Sequence, residues 1–191
     1  MKKLILIIAL LFTGSVFAEP GKDQGKVQEK VPGNEVNAKL RNAVQFTVKD
    51  LGPYQIVYTR HTGSYDEVLG SIMVVAKWAE QNRLDCQMSF GEYLNDPAFV
   101  AKDQLQSNVG CVTGVQPRKL PQEFSYREIP RGLYLTVNFE GSPKLGAKIV
   151  YPQAMEWLAQ NHYELRGPVF EIYTLFGTRI HTKYLLPIVQ K

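Results

Sequence analysis

A short motif occurs twice in this chain. WAEQN (Trp78–Asn82) returns as WLAQN (Trp157–Asn161), displaced by 157 − 78 = 79 residues. The flanking sequence repeats as well. The segments from Tyr54 and from Leu133 each read as a β-branched and aromatic strand, a glycine turn, an amphipathic helix and a second strand. A further strand follows in each half, NVGCVTGV in the first and HTKYLLPI in the second. Nearly the same displacement relates Gly63 to Gly141. A tandem strand–helix–strand–strand module predicts an α+β domain with pseudo-two-fold symmetry. Two such halves joined edge to edge leave a central ligand groove along the axis.

The helices are unequally marked. Ser64 and Glu67 form the pattern of a capping box. Val68, Ile72, Val75, Trp78 and Ala79 then follow helical spacing. The second helix starts at Ser142 and Pro143, but Pro152 lacks an N–H and is expected to kink or split it. Both tryptophans are expected between helix and sheet.

The remainder of the chain sets the context. Residues 1–18, MKKLILIIALLFTGSVFA, have the basic start, short apolar run and small-residue end of a signal peptide. Export to a periplasm, or secretion, is therefore expected. Residues 19–43 are rich in Gly, Pro, Lys, Gln and Glu and are read as a flexible linker. Residues 44–191 are long enough for one domain with its own core. Removing Lys2 and Lys3 lowers the formal charge from +4 to +2, and no Lys/Arg run is long enough for a nucleic-acid track. Nucleic acid is thus not an expected partner, nor is stable membrane insertion after cleavage. Cys86 and Cys111 are the only cysteines, and an even count in an exported chain favours a disulfide, with two buried thiols as the alternative. His61, His162 and His181 match no triad or metal spacing, so exposed histidines and no metal or cofactor are expected.

One strand carries an anomaly. In GPVFEIYTLF (Gly167–Phe176) a carboxylate, Glu171, interrupts an apolar run. Alternation puts Glu171 and Tyr173 on one face and Phe170 and Ile172 on the other. The Glu171 face is either solvated or lines a pocket.

The motifs YTRHTGSYDEV, GEYLNDP, FEIY and the terminal LLPI, in this order and duplicated around the two tryptophans, resemble the GyrI-like small-molecule-binding domain, also called the AraC effector-binding domain. The resemblance runs from about Val44 to Val189. It implies a pocket between the modules, lined by aromatics, whose acid is Glu171. It also implies that Tyr173, Tyr134, Tyr65, Tyr93 and Tyr184 contribute to the ligand site. The function implied is capture of an amphipathic or cationic lipophilic ligand by an exported, stand-alone domain. An alternative is hydrolysis of reactive, cyclopropanoid-type small molecules using Glu171. A third possibility is an envelope protein-interaction domain.

Overall fold

A computed structural model describes residues 44–176 and 179–191, with the side chains of Gln87, Leu175 and Phe176 excepted. The expected signal peptide (1–18) and linker (19–43) lie outside the described residues. Val44–Lys191 forms one compact unit.

The first module runs through β2 (Tyr54–Thr62), a 3₁₀ turn (Tyr65–Glu67), α1 (Val68–Gln81), β3 (Cys86–Tyr93) and β4 (Gln106–Thr113). The second repeats the order as β6 (Gly132–Glu140), α2 (Pro143–Gln160), β8 (Val169–Phe176) and β9 (Arg179–Gln190). Three short strands complete the set described: β1 (Thr47–Leu51), β5 (Ser125–Ile129) and β7 (Tyr163–Leu165). The sheet order is β1-β6-β9-β8-β3-β4-β2-β5, antiparallel throughout, with β7 pairing β9.

This order makes the two-fold relation explicit. Each module contributes its three strands in the sequence first–third–second, and the second strands, β3 and β8, pair at the centre. There Gly91 lies opposite Glu171, flanked by Ser89↔Tyr173 and Tyr93↔Val169. The axis therefore passes through the Gly91–Glu171 pair. Gly91 is the counterpart of Glu171 (171 − 91 = 80) and Tyr93 that of Tyr173. The glycine turns expected at Gly63 and Gly141 both have positive φ, 124° and 139°. Few side chains adopt that region, so the turn requires glycine.

One face of the sheet holds both helices. Val75 and Ala79 of α1 pack with Val57 and Cys111, and Val68 and Ile72 pack with Val109. In the second module α2 comes so close that a side chain at Gly146 would run into Tyr184 and Phe139. The opposite face collects Ile56, Phe90, Val112, Tyr134, Phe170, Ile172 and Leu185 in a second core. This core is enclosed because the sheet curls. Arg127 of β5 reaches within 6.0 Å of the Phe170 ring centroid on β8. Those strands are four positions apart, roughly 19 Å if the sheet were flat.

Local expectations are met unevenly. Ser64 does cap, accepting from the Asp66 N–H at 3.2 Å, but the first turn it opens is 3₁₀ rather than α. Asn82 and Asn161 close their helices identically, each donating to the carbonyl of Trp78 or Trp157. α2 is continuous from Pro143 to Gln160, so of the kink or split expected at Pro152 the split does not occur. Pro152 and Lys148, whose carbonyl loses its helical donor, both lie on the exposed side where water can serve that oxygen.

The two cysteines form a disulfide with Cα atoms 5.3 Å apart. Strict alternation would have opposed them. Ser89 pairs Cys111, and Cys86 lies three residues from Ser89, hence on the other face. A register shift between Cys86 and Met88 inserts one residue, pairs Cys86 with Thr113 and returns it to the Cys111 face.

Candidate functional site

Glu171 is set on the helix-bearing face by the register of three strands. Its direct neighbours are Gly91 on β3 and Tyr184 on β9. It is only 4% exposed. No basic side chain pairs with it among the described residues. Its partners are phenols: Tyr151 of α2 donates to Oε1 at 2.5 Å, and Tyr173 donates to Oε2 at 3.0 Å. Tyr93 lies 2.6 Å from the Tyr173 hydroxyl. With the carboxylate ionised, the single proton of Tyr173 is committed to Glu171, so Tyr93 is the donor to Tyr173.

The two central tyrosines reach the axis from diagonal corners, and glycine makes this possible. A Cβ at Gly91 would lie 3.0 Å from the Tyr93 ring and hydroxyl. Further aromatics enclose the group. Tyr184 meets Tyr151 edge-on at 5.5 Å, and Tyr65 meets Tyr93 edge-on at 4.7 Å. The Tyr65 hydroxyl lies against the carbonyls of Asn95 and Gln106, tying it to the β3–β4 loop.

Burial dominates the electrostatics. It pushes the Glu171 carboxyl from 4.5 up to about 7, against the opposing pull of hydrogen bonds from Tyr151 and Tyr173. Burial, reinforced by the nearby Glu171 charge, holds Tyr93, Tyr151, Tyr173 and Tyr184 above the ordinary phenol range. The site is thus a single acid, balanced between charged and neutral forms near neutrality, inside a wall of neutral donors. Such a group can bind a cation or exchange a proton.

The sequence-based residues divide. Glu171, Tyr173, Tyr93 and Tyr184 share one face of the sheet, and Tyr65 joins them from the turn before α1. Tyr134 does not. It lies in the core of the opposite face, with its hydroxyl donating to the Pro130 carbonyl at 3.1 Å. The expectation that Tyr134 reaches the groove is therefore corrected. On β6 it is Leu135, Val137 and Phe139 that share Glu171's side, since Val137 pairs Tyr184 and Tyr184 pairs Glu171. Of the histidines, His162 is exposed as expected, whereas His61 and His181 are not. His61 is half-buried, with ring nitrogens 3.2 Å from Ser71 Oγ and 3.1 Å from the Ser64 carbonyl.

Two features escaped the sequence. Tyr151 is one, and its place beside Pro152 in an irregular helix gave no periodic signal. The other is a second buried acid, Glu92, on the face opposite Glu171. Arg127 pairs with it at 2.5 Å, Asn108 donates to the same oxygen, and the guanidinium lies over the Tyr58 ring at 5.7 Å. Its position in GEYLNDP, a carboxylate on a largely apolar strand like Glu171 in FEIY, was the available clue.

Known structures share this architecture. The crystal structure of the EcmrR C-terminal domain superposes with a TM-score of 0.66 at 16% identity, covering 78% of this chain and 99% of that one. The EcmrR–DNA complex in EcmrR-RPo gives the same TM-score at 14% identity over 82% of this chain. Only 64% of EcmrR's length is spanned there. SAV2435 bound to tetraphenylphosphonium has a TM-score of 0.50 at 14% identity, covering 76% and 94% of the two chains. At these identities the likeness is one of fold. No curated protein matches the chain. Residues 45–189 match the GyrI-like small molecule binding domain, and the chain belongs to that family.

Proposed function

We propose that this chain is an exported module that captures amphipathic or cationic lipophilic small molecules, with Glu171 as the group that attracts the cation. One observation carries the reading. A carboxylate 4% exposed is hydrogen-bonded only by tyrosines, with no Lys or Arg partner among the described residues. Desolvating a charge without a counter-charge is costly. A cation held against aromatic faces offsets that cost. The tetraphenylphosphonium bound by SAV2435, a protein of this fold, is of that ligand class. The N-terminal 18 residues support export by their pattern.

The test is calorimetric titration with tetraphenylphosphonium from pH 5.5 to 8.5. Affinity should rise through about pH 7, where Glu171 ionises. Glu171→Gln should weaken binding by about 1–3 kcal/mol and flatten the pH dependence. Equal affinity of both proteins at pH 8.5 rejects the reading. A second reading, hydrolysis, draws on the same acid, because a carboxyl near pH 7 flanked by phenols suits proton transfer. Turnover of a reactive small molecule by the wild type, lost in Glu171→Gln with binding retained, would establish it.

A further inference from the structure

The two tryptophans of the repeat sit at equivalent places with unequal surroundings. Both are half-buried, and Trp157 has two aromatic neighbours, Tyr163 stacked on it at 5.8 Å and Phe46 at 6.4 Å. Trp78 meets Phe124 edge-on at 5.3 Å, packs on the core between α1 and the sheet, and borders a half-open cavity of about 550 Å³. That cavity lies between the end of α1 and the β4–β5 loop. Its apolar lining is Trp78, Leu84, Val115 and Pro117, and Arg118 and Lys119 stand on it, with no acid among its lining residues. Val115 is 58% exposed, a large apolar side chain left uncovered. Behind it, Trp78 and Leu84 pack on the core cluster of Val57, Val75, Ala79, Cys111 and Phe124.

We propose that this cavity is a second ligand site, separate from the Glu171 site, and that it takes an amphipathic aromatic anion. The apolar and aromatic walls supply the contact that Tyr163 and Phe46 supply to Trp157. The guanidinium and ammonium groups supply the charge. The carbonyl end of α1 opposes an anion, and Asn82, donating to the Trp78 carbonyl at 2.9 Å, partly offsets this. Trp78 lies 10 residues along α1 from Val68, roughly 15 Å, and Tyr65 lies one 3₁₀ turn beyond Val68. The two sites can therefore be occupied independently.

Tetraphenylborate and tetraphenylphosphonium provide the test, since they share a shape and carry opposite charges. Tetraphenylborate should bind saturably at one site by calorimetry and quench Trp78 emission in a Trp157→Phe background. Arg118→Gln/Lys119→Gln should weaken it at least tenfold, Val115→Asp should weaken it likewise, and Glu171→Gln should leave it unchanged. Tetraphenylphosphonium should respond in the reverse pattern if the Glu171 reading also holds, and its failure to bind leaves this inference standing. Absence of saturable tetraphenylborate binding, or binding insensitive to both cavity variants, overturns the proposal. So does loss of that binding in Glu171→Gln, which would place the anion elsewhere.

Discussion

Replacing Glu171 by glutamine should make the protein more stable, and by an amount that depends on pH. In the unfolded chain the carboxyl ionises at about its ordinary value of 4.5, whereas burial in the fold moves it to about 7. Between these values the folded state holds a proton that the unfolded state has released. Stability therefore falls as pH rises through this window, and the loss is complete above pH 7. The difference of 7 − 4.5 = 2.5 corresponds to about 3 kcal/mol at 1.36 kcal/mol each. That is a sizeable part of the ~5–15 kcal/mol that holds a typical domain folded. Glutamine keeps the shape and can still hydrogen-bond Tyr151 and Tyr173, but it does not ionise. Urea denaturation of both proteins in matched buffers isolates this contribution, because every other titrating group cancels in the difference. The advantage of Glu171→Gln should be near zero at pH 4 and approach about 3 kcal/mol by pH 8.5. A difference that stays flat across this range, or that shrinks as pH rises, refutes the claim that Glu171 is a buried acid lacking a cation.

Three further outcomes are expected. Opening the Cys86–Cys111 bridge, which spans a separation of 25 residues, should cost about 3.5 kcal/mol by the loop-entropy relation, read from denaturation with and without reductant. Gly91→Ala should push Tyr93 off Tyr173, costing about 1 kcal/mol for the lost hydrogen bond and altering the near-ultraviolet tyrosine dichroism. Arg127→Met should cost about 3–5 kcal/mol because it strands the buried Glu92, and adding Glu92→Gln should recover most of that loss in a thermal melt.

What the sequence revealed and what it hid have a common physical origin. The duplicated module was legible because helix and strand periodicities are local, and the tryptophan motif fixed the register of the repeat. Alternation along β8 correctly grouped Glu171 with Tyr173. Alternation along β6 separated Tyr134 from Leu135 equally well, but it cannot say which set faces the helices. That is decided by pairing, through Val137 to Tyr184 to Glu171, and a one-residue change of register reverses it. The bulge that brings Cys86 to Cys111 is hidden for the same reason, since it exists only relative to a partner strand. Tyr151 depends on how α2 is rotated over the sheet, and a helix with Pro152 and scattered apolar residues leaves that rotation unstated. Its hydrogen bond to Glu171 is a tertiary fact.

The pairing of Gly91 with Glu171 has a consequence for what a symmetric scaffold can hold at its centre. In a dimer of identical halves, any residue on the axis faces its own copy. A glutamate there would meet a second glutamate at a cross-strand Cβ separation of about 4.5–5.5 Å, where like charges repel and share a proton. Joining the halves in one chain lifts that restriction, because each position can be chosen alone. Here one side of the axis bears the acid, and the other bears no side chain at all, leaving the space into which the Tyr93 ring folds. The backbone keeps its two-fold relation while the chemistry at its midpoint becomes singular. A molecule arriving there encounters one charge in one orientation, which a true dimer built from either half could not offer.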